Sequence, residues 1–172
     1  MTDRQPAEPY RILMVDDEPL SLELHAALLR AAGMDVQTLS EPLGIFEALA
    51  AHRPDVLLLD QSMPDASGPE IAAVLRERDV YRHMPILFLS AETDSTRQLT
   101  ALNLGGDDFL VKPVDPHYLI AAVTARARRA RENRNATERL RNILYEGERV
   151  RLALDRHAIV SVADRRGAIT HV

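Results

Sequence analysis

The chain has 172 residues, a formal net charge of −5, 46% hydrophobic residues and no cysteine. That length suits one full domain with additional sequence, and the apolar fraction is ample for a core. The lack of cysteine excludes disulfides, thiol nucleophiles and Cys-based metal centres, and no apolar run approaches the roughly 20 residues of a membrane span.

Residues 1–9 are polar, hold two prolines and lack an apolar signal region, so a disordered N-terminus and a cytoplasmic location are expected. A short apolar run, Ile12-Leu13-Met14-Val15, ends in the acids Asp16-Asp17. Pro19 to Ala32 follows with apolar residues at Leu20, Leu24, Ala27, Leu28 and Ala31, which is helical spacing. Gly33 stands where a C-cap glycine ends a helix. Val36 to Leu39 reads as a strand, and Pro42 opens a second helix. Val56-Leu57-Leu58-Leu59 is apolar on consecutive positions, the pattern of a parallel strand buried on both faces. Gly68 to Arg78 is a third helix, Pro85 to Leu89 a fourth strand, and Thr93 to Leu104 a fourth helix stopped by Gly105-Gly106. Phe109-Leu110-Val111 is the fifth strand. Asp115-Pro116 then supplies an N-cap and a first-turn proline for a fifth helix, which runs without clear stop to about Arg156. Strict alternation of five strands and five helices predicts a parallel sheet covered by helices on both faces.

Charge is unevenly spread. Residues 1–115 hold nine basic and twenty acidic residues, whereas residues 116–156 hold ten and five. The acidic part is not expected to bind nucleic acid, which needs Lys and Arg at its phosphates. Arg126 to Arg141 reads as a solvated helix face. Among twenty-one basic residues a single lysine, Lys112, follows the fifth strand. Its ammonium is a compact charge on a flexible stem, unlike the wide guanidinium fork.

Asp16-Asp17, Asp60, Ser90 and Lys112 all fall at the C-terminal ends of predicted strands, where open parallel sheets bind ligands. Each has a structural alternative: Asp17 as a helix cap, Asp60 as a turn residue, Ser90 as a cap of the fourth helix. Together they are expected to converge on one crevice. Two carboxylates about 4 Å apart repel by about 4 kcal/mol at an effective dielectric of about 20. Such a site takes up a proton or a cation, and Mg²⁺ suits one or two carboxylates with water and phosphate. Without a thiol or a suitably placed Ser-His pair, a carboxylate is the natural nucleophile, giving an acyl phosphate.

The segments Val15-Asp16-Asp17-Glu18, Leu59 to Gly68, Leu89-Ser90-Ala91 and Gly105 to Pro113 resemble, in order and spacing, the receiver domain of bacterial two-component response regulators. The resemblance covers about residues 10–130. It implies an α/β, flavodoxin-like, doubly wound sheet of strand order 2-1-3-4-5. It also implies that Asp60 is the phosphoacceptor. Asp17, Asp60 and the backbone carbonyl of Ser62 would ligate Mg²⁺, with Asp16 acting through water. Lys112 would contact the phosphoryl oxygens, Ser90 would hydrogen-bond them, and Lys112-Pro113 would be cis. Phe109 would be the aromatic switch, in a place where the family more often has Tyr, and Ser62 and Glu92 would tune phosphoryl lifetime. The implied partner is a sensor histidine kinase or a histidine phosphotransfer protein, and the implied chemistry is self-phosphorylation and autodephosphorylation only.

Residues 131–155 are expected to form a helical linker. Leu140, Gly147 and Leu154 recur every seven residues with Ile143 and Val150 between them, which fits a coiled coil and a homodimer. In residues 156–172, Ala158 to Val162 and Ala168 to Val172 read as two strands around an Asp164-Arg165-Arg166-Gly167 turn. They resemble the first hairpin of a PAS sensor domain, cut short. In that order of domains the family places a diguanylate cyclase, a cyclic-di-GMP phosphodiesterase or a histidine kinase next. Three further readings are a receiver module of a hybrid histidine kinase or phosphorelay, a Mg²⁺-dependent aspartyl phosphatase of the haloacid dehalogenase kind, and a scaffold whose acidic pocket never takes phosphate. The phosphatase family wants Asp-x-Asp after its first strand, whereas Asp16 and Asp17 are adjacent.

Overall fold

The computed structural model describes residues 8–91, 95–157, 162–163 and 169–170. Five parallel strands form one sheet: β1 (Arg11–Val15), β2 (Asp35–Leu39), β3 (Val56–Asp60), β4 (Ile86–Ser90) and β5 (Asp108–Val111). Their order is β2-β1-β3-β4-β5, as the resemblance implied. The connecting helices are α1 (Pro19–Ala31), α2 (Ile45–His52), α3 (Gly68–Arg76), α4 (Ser95–Asn103) and α5 (Pro116–His157). The chain divides into two compact units, residues 1–132 and 133–172.

The consecutive apolar residues of β1, β3 and β4 are divided by the period-two alternation of strand side chains. Ile12, Met14, Leu58, Leu87, Leu89 and Leu110 pack on one face with Leu22, Ala26 and Leu29 of α1 and Leu119, Val123 and Ala127 of α5. Leu13, Val15, Leu57, Leu59, Ile86 and Phe88 pack on the other, against α2, α3 and Ala101 of α4. Both faces of the three central strands are therefore buried, and polar groups gather at the ends of the sheet.

Several boundaries differ from expectation. Pro42 opens a 3-10 turn, Pro42–Gly44, before α2 begins at Ile45. The fourth strand extends to Ser90, and α3 stops at Arg76. Glu92 and the expected start of the fourth helix at Thr93 lie outside the described residues. The larger difference is the face of α1. Leu20 and Leu24 are 82% and 60% exposed, and Ala27 and Ala31 are exposed too. The buried set is Leu22, His25, Ala26 and Leu29. Both sets recur at helical spacing, so periodicity alone does not choose between them; contact with the sheet selects the one carrying Leu29.

Helix ends follow local chemistry. Gly33 has φ +83°, its N–H donates to the Arg30 carbonyl at 2.9 Å, and the Met34 N–H donates to the Leu29 carbonyl at 3.1 Å. This is a Schellman ending, which needs a left-handed residue. Asp115 caps α5 through the Tyr118 N–H at 3.0 Å. Ser67 and Glu70 form a capping box at the start of α3. The Ser67 hydroxyl, and then its backbone N–H, hold the Glu70 carboxyl below its ordinary range.

At the N-terminal end of the sheet, Asp55 is buried and accepts from the Arg11 N–H at 3.0 Å and from the Arg131 guanidinium. Arg131 also donates to the Glu8 and Pro9 carbonyls and lies 4.6 Å from the centre of the Tyr10 ring. Five donors in one planar group suit such a multiple contact.

In the second unit, Val162–Ala163 (β6) pairs antiparallel with Ile169–Thr170 (β7). Residues 158–161, 164–168 and 171–172, which include the expected turn, lie outside the described residues. On α5, Leu140, Ile143 and Val150 are exposed. Among the described residues, no helix is long and apolar enough to cross a membrane.

Gly68 packs so closely on β3 that an added Cβ would meet the backbone carbonyl of Asp60. Backbone cannot turn aside as a side chain can, so Gly68→Ala is expected to destabilise the domain by about 1–3 kcal/mol. A lowered urea midpoint with unchanged m-value is the expected readout.

Candidate functional site

The strand register brings the expected residues to one end of the sheet. Val15 pairs with Leu59 and Asp60 with Leu89, while Ser90 pairs with Val111. Asp16 follows β1, Asp60 and Ser90 end β3 and β4, and Lys112 follows β5. Asp16, Asp17, Glu18, Asp60, Ser62, Ser90, Ala91 and Lys112 line an open cleft of about 310 Å³. Phe109 is not among them. It is half-buried on β5 and packs with the cluster that contains Phe88. The Lys112-Pro113 peptide is cis.

The Lys112 ammonium lies 2.8 Å from Asp16 Oδ2 and 2.5 Å from Asp60 Oδ1. Asp16 is 1% exposed, and its carboxylate accepts further bonds from the Glu18 N–H at 2.9 Å and the Ser21 hydroxyl at 2.7 Å. Asp60 Oδ2 accepts from the Ser62 N–H at 2.8 Å. Asp17, in contrast, is exposed. Ser90 is buried, and its carbonyl accepts from the Lys112 N–H at 2.8 Å. Asp17 is not the cap of α1. The N-cap is Glu18, which makes no side-chain cap bond; its own backbone N–H donates to Asp16.

Burial lowers the affinity of Lys112 for its proton, but hydrogen bonds and attraction from Asp16 and Asp60 outweigh it and hold the ammonium above its ordinary value. Burial raises the Asp60 carboxyl above the usual carboxylate range; contacts with Lys112 and the Ser62 N–H offset this only in part, and Asp16 adds repulsion. One ammonium therefore faces three carboxylates whose nearest oxygens all lie within 4.8 Å of one another. Hard carboxylate oxygens in an open cleft fit a hard divalent cation. Ser21 is the residue that inspection of the strand ends missed, because it sits inside α1; its one sequence signal is a hydroxyl five residues after Asp16.

Strand order, cleft and acidic cluster together define a flavodoxin-like α/β protein with an acidic pocket at the switch point of its sheet whose carboxylates could hold a metal ion. The chain matches the response regulator receiver domain over residues 12–124. It is 37% identical over 119 residues to the DNA-binding response regulator MtrA of Mycolicibacterium smegmatis, covering 69% of this chain and 51% of MtrA. It is 40% identical over 122 residues to an uncharacterised 76.5 kDa protein of Thiocystis violacea, covering 71% of this chain and 18% of that protein. The chain thus spans about half or less of the length of these relatives. Among solved structures it is similar to the chemotaxis response regulator CheY4 of Vibrio cholerae, with a TM-score of 0.64 and 27% identity over 69% of this chain and 98% of CheY4. The chain belongs to the response regulator receiver domain family, a family of signalling modules that are typically not enzymes.

The raised Asp60 carboxyl has a consequence for stability. The native state binds this proton more tightly than the unfolded chain, so stability falls as pH rises from the ordinary carboxylate range through the folded value. Ionisation of the buried Asp60 carboxyl therefore opposes folding. In chelator, Asp60→Asn is expected to raise the urea midpoint at neutral pH and to flatten that slope; an equal or lower midpoint contradicts the burial argument.

Proposed function

We propose that this chain is a phosphorylation-controlled switch of a two-component system, taking a phosphoryl group on Asp60 from a sensor histidine kinase or a histidine phosphotransfer protein. The observation that supports this most directly is the Lys112 ammonium bridging Asp16 and Asp60. A cation held beside two acids marks the space that phosphoryl oxygens occupy once one acid becomes an acyl phosphate. In the reaction, a carboxylate oxygen of Asp60 forms a bond to phosphorus as the phosphorus–nitrogen bond of phosphohistidine breaks. Lys112 turns to the phosphoryl oxygens, and the Ser90 hydroxyl donates to the same group. Asp17, Asp60 and the Ser62 carbonyl, with Asp16 through water, would hold Mg²⁺, which would supply positive charge against the anionic donor in this acidic cleft. The inward movement of Ser90 opens space for the Phe109 ring, a local event that biases a two-state surface. The adjacency of Asp16 and Asp17 disfavours the phosphatase reading.

The output lies beyond the receiver. The antiparallel β6–β7 pair is compatible with the opening hairpin of a PAS domain, in a cytoplasmic regulator whose output would be a diguanylate cyclase, a cyclic-di-GMP phosphodiesterase or a histidine kinase. Leu140, Ile143 and Val150, each 59–66% exposed, and Gly147, where an added Cβ meets nothing within 4 Å, form the seam of a linker that pairs with a second copy.

Incubation with acetyl phosphate and Mg²⁺ is expected to add one phosphoryl group by intact mass, and Asp60→Asn to abolish it. Asp17→Ala should weaken Mg²⁺ binding more than Asp16→Ala, since the first loses a direct ligand. Full labelling of the Asp60 variant contradicts the assignment, and wild-type metal affinity in the Asp17 variant contradicts the ligand set.

The full chain is expected to sediment as a dimer and a chain lacking residues 136–172 as a monomer. A monomeric full chain at tens of micromolar removes the paired linker and leaves the receiver reading intact.

A further inference from the structure

We propose that Ser21, in the first turn of α1, is a positioning residue for the metal site, acting through Asp16. The inference rests on the reading of the cleft as a Mg²⁺-dependent phosphoacceptor site.

His25 is buried on α1, and its Nδ1 lies 2.7 Å from the Ser21 carbonyl oxygen and 3.4 Å from Ser21 Oγ. A carbonyl only accepts, so Nδ1 carries a proton and cannot accept one from the serine. The single hydroxyl hydrogen of Ser21 is therefore left for Asp16 Oδ2, 2.7 Å away. The carboxylate itself only accepts, so the Ser21 hydroxyl donates to it, and the Nδ1–H of His25 leaves that hydroxyl no competing acceptor on its own helix.

A carboxylate offers about four acceptor positions. In Asp16 one is taken by the Glu18 N–H, one by Ser21 and one by Lys112. About one remains, which matches an acid that meets a metal ion through a single water. Two of the three donors come from the start of α1, and only Lys112 is on a mobile stem. When the ammonium turns to a phosphoryl group, Ser21 and the Glu18 N–H alone keep the carboxylate in orientation. A buried acid freed of one further donor can rotate, and the water it orients is displaced with it.

Mg²⁺ titration of the full chain, with unfolding midpoints as control, tests this. Loss of a group that orients a metal-site acid typically weakens metal binding by about tenfold or more, so Ser21→Ala is expected to weaken Mg²⁺ binding about tenfold. Ser21→Thr, which keeps the hydroxyl, is expected to bind as wild type does. In an Asp16→Ala background Ser21→Ala should change nothing further, because its route is gone. Alanine is the stronger helix former, so the variant is expected to fold. Unchanged affinity in Ser21→Ala overturns the inference, as does a loss that Thr does not restore or that persists in the Asp16→Ala background. A wild-type chain that neither binds Mg²⁺ nor accepts a phosphoryl group overturns the reading of the site itself, whereas a wild type that does both beside an unaffected Ser21→Ala overturns the Ser21 role alone.

Discussion

Three carboxylates held at one end of a parallel sheet repel, and one ammonium stands among them. Asp16 and Asp60 are nearly removed from water, and Lys112 touches both. Neighbouring strands lie about 4.8 Å apart, and β4 separates the strand that precedes Lys112 from the strand that ends in Asp60. The cation must cross about two strand spacings, over the end of β4 where Ser90 sits. A flexible four-carbon stem with a compact head does this; a rigid planar fork would meet both acids less easily. The one lysine in the chain stands where that geometry requires it.

The rest of the domain holds this arrangement in register. Dry packing on both sheet faces fixes the relative height of the strand ends, since a slip of one residue would exchange the two core clusters. Gly68 lets the chain return close to the Asp60 carbonyl, and the Ser67–Glu70 box starts α3 beside it. At the far end of the same sheet, Arg131 joins Asp55 to the Glu8 and Pro9 carbonyls. Breaking a buried pair leaves an uncompensated charge, so this contact ties the early part of α5 to the starts of β1 and β3. The two ends of the sheet thus use different cations: one pairs its buried acid with a planar guanidinium, the other with an ammonium on a flexible four-carbon stem.

Much of this was legible in the sequence because consecutive apolar residues admit few alternatives. Val56 to Leu59 has no polar face, so it has to be a central strand, and the acid that follows it has to lie at the carboxyl end of the sheet. The strand order followed from the family resemblance and is observed. The face of α1 was not legible, because Leu20-Leu24 and Leu22-Ala26-Leu29 share the same helical spacing and only the sheet distinguishes them. Ser21 was missed for a related reason: its partner is fixed by a helix direction that a linear motif does not contain. The 3-10 start before α2 was hidden because Pro42 is equally suited to both kinds of first turn.

The account stands on Lys112 exchanging a carboxylate for a phosphoryl group. Because the chain has one lysine, protein labelled with ¹⁵N at the lysine side chain carries a single ammonium reporter. Its resonance should be observable at neutral pH in the Mg²⁺-loaded protein and should shift when beryllofluoride is added, with no such shift in Asp60→Asn. An ammonium signal that beryllofluoride leaves in place, in a protein that binds it, would contradict the account.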